Sequence, residues 1–215
     1  MDISQYIDST LLDPKATMKD IETLCNDALT YHFEAVCVHP YYVSLAKELL
    51  KDSNVLVSTV IGFPMGMNTT STKVYEAIEA VNHGADEIEL VINMGDVKNK
   101  QFEEIKEEIE EIRDSIDGKT LKVIVEVGSL TKEELIKLIN ICNETFVHYI
   151  KTSTGFFQNG TVEDVKLIKE HKSDTLEIKA AGGIQTEEQL LAYIEAGATR
   201  IGTSHAALIM KGEKQ

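Results

Sequence analysis

The chain reads as an α/β protein, a single-domain (β/α)8 TIM barrel over residues 1–215. Three observations predict this. Short apolar runs alternate with charged segments of helical period, which gives parallel strands joined by right-handed crossovers. Eight such runs in 215 residues suit one compact barrel with no second domain or linker. The competing layout, an open doubly wound sheet, normally carries GxGxxG after its first strand, and none is present here.

The first strand-like run is Tyr6–Leu11, followed by a helical segment at Met18–Tyr31. Runs at Ala35–His39 and Val55–Ile61 come next, then a helix at Thr70–His83 that Gly84 stops. Asp86–Ile92 and the helix Phe102–Ile116 form the fourth unit, and Leu121–Val127 opens the fifth. Thr131 with Glu134 marks the start of a helix through Asn143, because a hydroxyl and a carboxylate at that spacing cap each other's backbone N–H groups. Phe146–Lys151 is the sixth strand. Thr161 with Asp164 then starts the helix Val162–His171. Leu176–Ala180, the helix Glu187–Ala196 closed by Gly197, and Arg200–Ser204 complete the pattern.

Barrel strands are covered by helices outside and packed side chains inside, so they should be nearly continuously apolar. Several are not. Alternation places Val123, Val125 and Val127 on one face, leaving Lys122, Ile124 and Glu126 inward. It likewise leaves Glu87, Glu89 and Val91 inward beside the outward Ile88, Leu90 and Ile92. Lys122, Lys151 and Lys179 are therefore expected in the lumen against Glu89, Glu126 and Asp8. The plain alternative is an ion-paired network that merely fills a polar interior, although buried pairs stabilise less well than apolar packing.

Lys151 ends one strand and Lys179 lies on the next, each leading into a small loop, Thr152–Gly155 and Ala180–Gly183. Burial and mutual repulsion are expected to lower the pKa of at least one, which exposes a neutral amine able to form a Schiff base. The glycine-rich loops after strands seven and eight, Gly182-Gly183 and Gly202–Ser204, lie where barrels commonly hold phosphate.

Composition narrows the partners. With 36 acidic and 21 basic residues the formal charge is -15, which disfavours nucleic acid and anionic membrane surfaces. No run reaches bilayer-spanning length, and Met1-Asp2-Ile3-Ser4 lacks the pattern of a signal peptide. A cytoplasmic location is expected. Cys25, Cys37 and Cys142 form neither a disulfide framework nor a metal motif, and the histidines His32, His83, His148 and His171 are scattered, so no metal or other cofactor is expected. Cys37 reads as a small filler close to the site. The run Glu103–Glu111 reads as a solvated helix face.

The motifs Thr59-Val60-Ile61-Gly62-Phe63-Pro64, Gly84-Ala85-Asp86-Glu87-Ile88, Lys122-Val123-Ile124 with Glu126, Lys151-Thr152-Ser153-Thr154-Gly155-Phe156 and Ala196-Gly197-Ala198-Thr199-Arg200-Ile201-Gly202 stand in order along the chain. With Tyr6-Ile7-Asp8 at the start, the sequence closely resembles the deoxyribose-phosphate aldolases, which are class I aldolases. The resemblance implies metal-free, reversible cleavage of 2-deoxy-D-ribose 5-phosphate to acetaldehyde and D-glyceraldehyde 3-phosphate. It implies Lys151 as the Schiff-base lysine, Lys179 as the lysine that perturbs it, Lys122 as a further lumen lysine, and Asp8 as an acidic member of the network. Thr154, Gly155, Gly182, Gly183, Ser204 and His205 fall on substrate- and phosphate-binding positions, with Cys37 nearby. A homodimer or higher homo-oligomer is compatible with this reading.

The departures are Glu89 in place of the family's acid/base aspartate and His205 in place of a phosphate-site serine. Ser9, Asp13 and Val127 also differ from frequent family residues, and Lys211–Gln215 carries no tyrosine. They leave open a shifted phosphorylated substrate or a weakly active sugar-phosphate-binding barrel. Because Glu89 is one methylene longer than aspartate, Glu89→Asp is expected to raise the rate.

Overall fold

The computed structural model describes residues 2–212, so Met1 and residues 213–215, including the last part of Lys211–Gln215, lie outside it. Eight parallel strands close into a barrel in sequence order. They are β1 (Ile7–Leu11), β2 (Ala35–Val38), β3 (Leu56–Ile61), β4 (Glu87–Val91), β5 (Thr120–Ile124), β6 (Tyr149–Lys151), β7 (Glu177–Ala181) and β8 (Arg200–Thr203). Around them run α1 (Met18–Tyr31), α2 (Val43–Leu50), α3 (Thr70–Asn82), α4 (Met94–Lys98) and α5 (Phe102–Ser115). The outer layer continues with α6 (Lys132–Glu144), α7 (Val162–His171), α8 (Glu187–Ala196) and α9 (Ala206–Lys211).

All eight expected strands are present, and six of the helices match the charged periodic segments. The capping boxes at Thr131/Glu134 and Thr161/Asp164 form, as do two more at Thr17/Asp20 and Thr186/Gln189. Three helices escaped the periodicity: α2, α4 and α9 have 8, 5 and 6 residues, too short to display a repeating face. Two of them, α2 and α9, also start without a side-chain cap. The fifth strand ends at Ile124 rather than Val127, because Glu126 adopts a left-handed conformation (φ +52°) that turns the chain out of the sheet.

The apolar core is a shell between barrel and helices. Outward strand residues such as Ile7, Val57, Ile88, Val123, Ile178 and Ile201 pack there against buried helix residues. Inside the barrel, Leu12, Cys37 and Val60 form a small apolar cluster with Phe63 against it. Charged groups occupy much of the remaining interior.

A second buried charge pair lies outside the lumen. The Lys73 ammonium, fully buried on α3, donates to a Glu108 carboxylate oxygen at 2.9 Å on α5 and to the Val91 carbonyl at 3.0 Å, at the end of β4. It therefore ties two helices to the strand that carries Glu89. Glu108→Leu would leave this ammonium without its counter-ion, and should cost roughly 3 kcal/mol of unfolding free energy. Denaturant melts of the two proteins test this, and equal midpoints would show that the pair contributes nothing.

Candidate active site

Closure of the barrel turns the alternating charges of six strands towards one another. β1 supplies Asp8, β4 Glu87 and Glu89, β5 Lys122, β6 Lys151, β7 Lys179 and β8 Arg200. All are buried. Strand register sets Lys151 beside Lys179 and Lys179 beside Arg200, and it sets Glu89 beside Lys122.

Glu89 lies at the centre. One carboxylate oxygen accepts from Lys151 Nζ at 2.6 Å, the other from Lys179 Nζ at 2.6 Å and from Ser58 Oγ at 3.1 Å. Lys122 Nζ is 3.6 Å away from it. Asp8 is the second hub, accepting from Lys179, from Lys122 at 2.9 Å and from Arg200 Nε at 2.7 Å. Glu87 closes the network, accepting from Lys122 at 2.5 Å and from the Arg200 guanidinium at 3.2 Å. The Tyr149 ring adds a π face, 5.3 Å from Lys122 Nζ and 5.8 Å from the centre of the Arg200 guanidinium.

These contacts fix the charge states. Burial opposes the charge on Lys179, yet the Asp8 and Glu89 carboxylates outweigh it and hold its pKa above the ordinary lysine value. Repulsion between lysines is therefore not the controlling effect at Lys179, because two carboxylates stand in direct contact with it. Burial likewise opposes the Glu89 carboxylate, but Lys151, Lys179 and Lys122 hold its pKa well below the usual range. Asp8 is depressed in the same way: burial is outweighed by Lys122, Lys179 and Arg200.

Glu126 does not join the lysines. Its Oε2 accepts from the Thr154 backbone N–H at 3.1 Å and from its hydroxyl at 2.6 Å. The left-handed turn carries it away from the lumen network and towards the loop after β6. The Thr154 hydroxyl also accepts from the Phe156 N–H at 3.1 Å, so it is engaged on both sides in shaping that loop.

A cavity of about 530 Å³ opens at the C-terminal ends of the strands. It brings together Lys151, Thr154, Gly155, Gly182, Gly183, Ser204 and His205. Lys179, Lys122, Glu89 and Asp8 lie beneath it, and Lys151, 2% exposed, is the lumen cation that lines it. Cys37 does not line it. It packs in the lumen with Leu12 and Val60, where burial pushes its thiol up to about 12. Gly182 and Gly183 both have positive φ, and a Cβ on either would come within 2.7 Å of the Asn159 side chain. Their backbones can therefore approach a bound anion closely. Ser204 Oγ lies 3.1 Å from His205 Nδ1, so these two side chains form one polar edge of the cavity.

Sequence reasoning missed Arg200, Ser58 and Asn159 as site components. Arg200 was legible: it alternates with the outward Ile201, just as Lys122 alternates with Val123. Ser58 and Asn159 carry no such signal, because a single uncharged polar residue in a strand or loop is unremarkable. Among the described residues, no three His, Cys, Asp or Glu side chains group so as to hold a metal ion.

The network has a thermodynamic signature. Asp8 and Glu89, depressed from 3.8 and 4.5, contribute stability that is complete above those values and lost as pH falls below them. Lys179, raised from 10.5, contributes stability that is complete below 10.5 and lost as pH climbs past it. Denaturant midpoints should therefore be nearly level from about pH 5 to about pH 10 and fall on both sides. A midpoint already falling between pH 7 and pH 5 would contradict these charge states.

Comparison with known proteins places the chain among aldolases. Residues 3–208 match the DeoC/LacD family aldolase pattern. A deoxyribose-phosphate aldolase of Staphylococcus carnosus is 48% identical over 213 residues, covering 99% of this chain and 97% of its own. A solved structure described as QR15, an aldolase, superposes with a TM-score of 0.95 at 42% identity, covering 98% of this chain and 95% of that one. The tetrameric deoxyribose phosphate aldolase of Aeropyrum pernix gives 0.91 at 29% identity, with 97% and 89% covered. This chain belongs to the DeoC/LacD family of aldolases.

Proposed function

We propose that this protein is a class I aldolase that reversibly cleaves 2-deoxy-D-ribose 5-phosphate to acetaldehyde and D-glyceraldehyde 3-phosphate. One observation carries the reading beyond family membership. Of the buried cations, Lys151 alone lines the cavity, and its ammonium donates to the Glu89 carboxylate.

In this mechanism the sugar enters in its open form, with its phosphate against the backbone of Gly182, Gly183 and Ser204 and beside His205. Lys151 Nζ, as the free amine, adds to the aldehyde carbon, and loss of water leaves an iminium. Glu89 holds the proton given up by Lys151 and returns it to the hydroxyl that departs as water. Once that ammonium is gone, the carboxylate has lost one of its neighbouring cations and becomes more basic. A base then removes the proton of the 3-hydroxyl. The C2–C3 bond breaks, its electrons pass to the iminium, and glyceraldehyde 3-phosphate leaves. Protonation of the resulting enamine and hydrolysis release acetaldehyde and restore the lysine. Lys179 stays charged beside the reacting nitrogen and disfavours its protonation.

The longer Glu89 fits this role without adjustment, because its two oxygens reach two lysines at once and Ser58 supports one of them. On this reading shortening Glu89 lowers activity, against the gain expected from the resemblance. Withdrawing the carboxylate by about a bond length would release Lys151, Lys179 or both. The negative chain as a whole fits a small phosphorylated substrate held by a local site rather than a nucleic acid. No helix among the described residues is long and apolar enough to cross a membrane. A cytoplasmic homo-oligomer is the assembly we infer, supported by the tetrameric relative.

Borohydride added with acetaldehyde should trap one adduct, at Lys151, by mass mapping. An adduct mainly at Lys179 would reverse the two roles. Glu89→Asp should lower kcat/KM on deoxyribose phosphate about tenfold, and Glu89→Gln should abolish turnover while still allowing slow trapping. Unchanged activity in Glu89→Gln would remove Glu89 from proton transfer. His205→Ser should change KM for deoxyribose 5-phosphate several-fold more than KM for deoxyribose, and equal changes would place His205 away from the phosphate.

A further inference from the structure

The proposed mechanism gives no role to the buried lumen charges Arg200 and Glu87. Counting the cluster gives them one. Four cations, Lys122, Lys151, Lys179 and Arg200, face three carboxylates, Asp8, Glu87 and Glu89. The buried set therefore carries one surplus positive charge when every group is ionised, and surplus charge is costly away from water. The surplus is unevenly held. Lys122 touches Asp8 and Glu87, Lys179 touches Asp8 and Glu89, and Arg200 touches Asp8 and Glu87. Lys151 touches Glu89 alone, and it is the member open to the cavity.

We propose that Arg200 and Glu87 are positioning residues that set the charge state of Lys151 from the far end of the network. Arg200 supplies the surplus charge that drives the Lys151 amine to its neutral, nucleophilic form, and Glu87 opposes it. The inference rests on Lys151 being the Schiff-base lysine. The link is a chain of direct contacts: Arg200 to Asp8, Asp8 to Lys179, Lys179 to Glu89, Glu89 to Lys151. If Arg200 were absent, Asp8 and Glu87 would lean on the remaining lysines and hold their protons in place.

Other groups face these residues and leave the direction of the effect intact. Arg200 meets Asp8 from β1, Glu87 from β4, the Tyr149 ring from β6 and Lys179 from β7. Glu34, just ahead of β2, lies 3.6 Å from Arg200, but its side chain is 34% exposed and water screens it. Around Lys151 stand Glu89 from β4, Lys179 from β7 and Cys37 from β2, with Asp13 and His205 elsewhere in the cavity wall.

The test is the pH dependence of kcat/KM for deoxyribose 5-phosphate, whose acid limb reports loss of the proton that blocks the nucleophile. Removing a positive charge in Arg200→Met should move that limb to higher pH by roughly half to one unit. Glu87→Gln should move it to lower pH by a similar amount, and the double variant should return it towards the parent. Arg200→Lys keeps the charge and should leave the limb in place even if the rate falls. Limbs that stay at the parent position in folded Arg200→Met and Glu87→Gln would overturn the proposal and reduce both residues to structural fillers. If Arg200→Met fails to fold, the displacement in Glu87→Gln decides alone. Borohydride trapping in the parent separates the two layers of argument. An adduct elsewhere than Lys151 sinks the Schiff-base assignment and this inference with it, whereas an adduct at Lys151 with immobile limbs sinks only the inference.

Discussion

The carboxylate of Glu89, shared between Lys151 and Lys179, is the contact on which the remaining site geometry depends. It comes from β4, while the lysines come from β6 and β7, so it must reach across the lumen rather than along one strand pair. Barrel closure makes that reach available. In an open sheet the same residues would lie two and three strands apart on one face, and a glutamate could not touch both ammonium groups. Fold and chemistry are thus linked at one side chain.

Filling a lumen with charge carries a stability cost that an apolar filling would avoid. The chain offsets it elsewhere. The shell between strands and helices is a continuous apolar cluster, while Leu12, Cys37 and Val60 with Phe63 form a small one in the lumen. Charges that remain inside are met by opposite charges at hydrogen-bond distance, which is the condition under which buried ions are tolerated. The Lys73–Glu108 pair follows the same rule outside the barrel and fastens the end of β4 to two helices. The strand that bears Glu89 is therefore held from both sides.

Much of this was legible in the sequence, for definite reasons. Strands were readable because their outward faces are largely apolar. Lys122 and Glu89 were readable because a charge breaks that regularity at a fixed period of two. The same test would have found Arg200 beside Ile201. Glu126 failed the test because periodicity assumes a continuing strand, whereas its left-handed backbone ends β5 two residues earlier. Lysine repulsion alone gives no sign for Lys179. Sequence shows that Lys151 and Lys179 are neighbours, but not that Asp8 and Glu89 would stand in contact with Lys179, and contact decides the sign.

The site divides into two parts built on different physics. Below the cavity, side-chain charges lock one another, and little there can move without leaving an ion unpaired. Above it, glycine backbone with positive φ and short hydroxyl side chains form the wall. Glu126 braces the upper part: its oxygen holds both the N–H and the hydroxyl of Thr154, three residues after Lys151. That hydroxyl in turn accepts from Phe156, so the loop leaving the lysine is tied at successive points. Lys151 is thereby fixed at a boundary, with its ammonium on the charged floor and its approach path under the flexible-residue wall. A lysine that does not line the cavity, such as Lys179, has the charge environment without the access. A lysine on the rim would have the access without a buried carboxylate to share its proton.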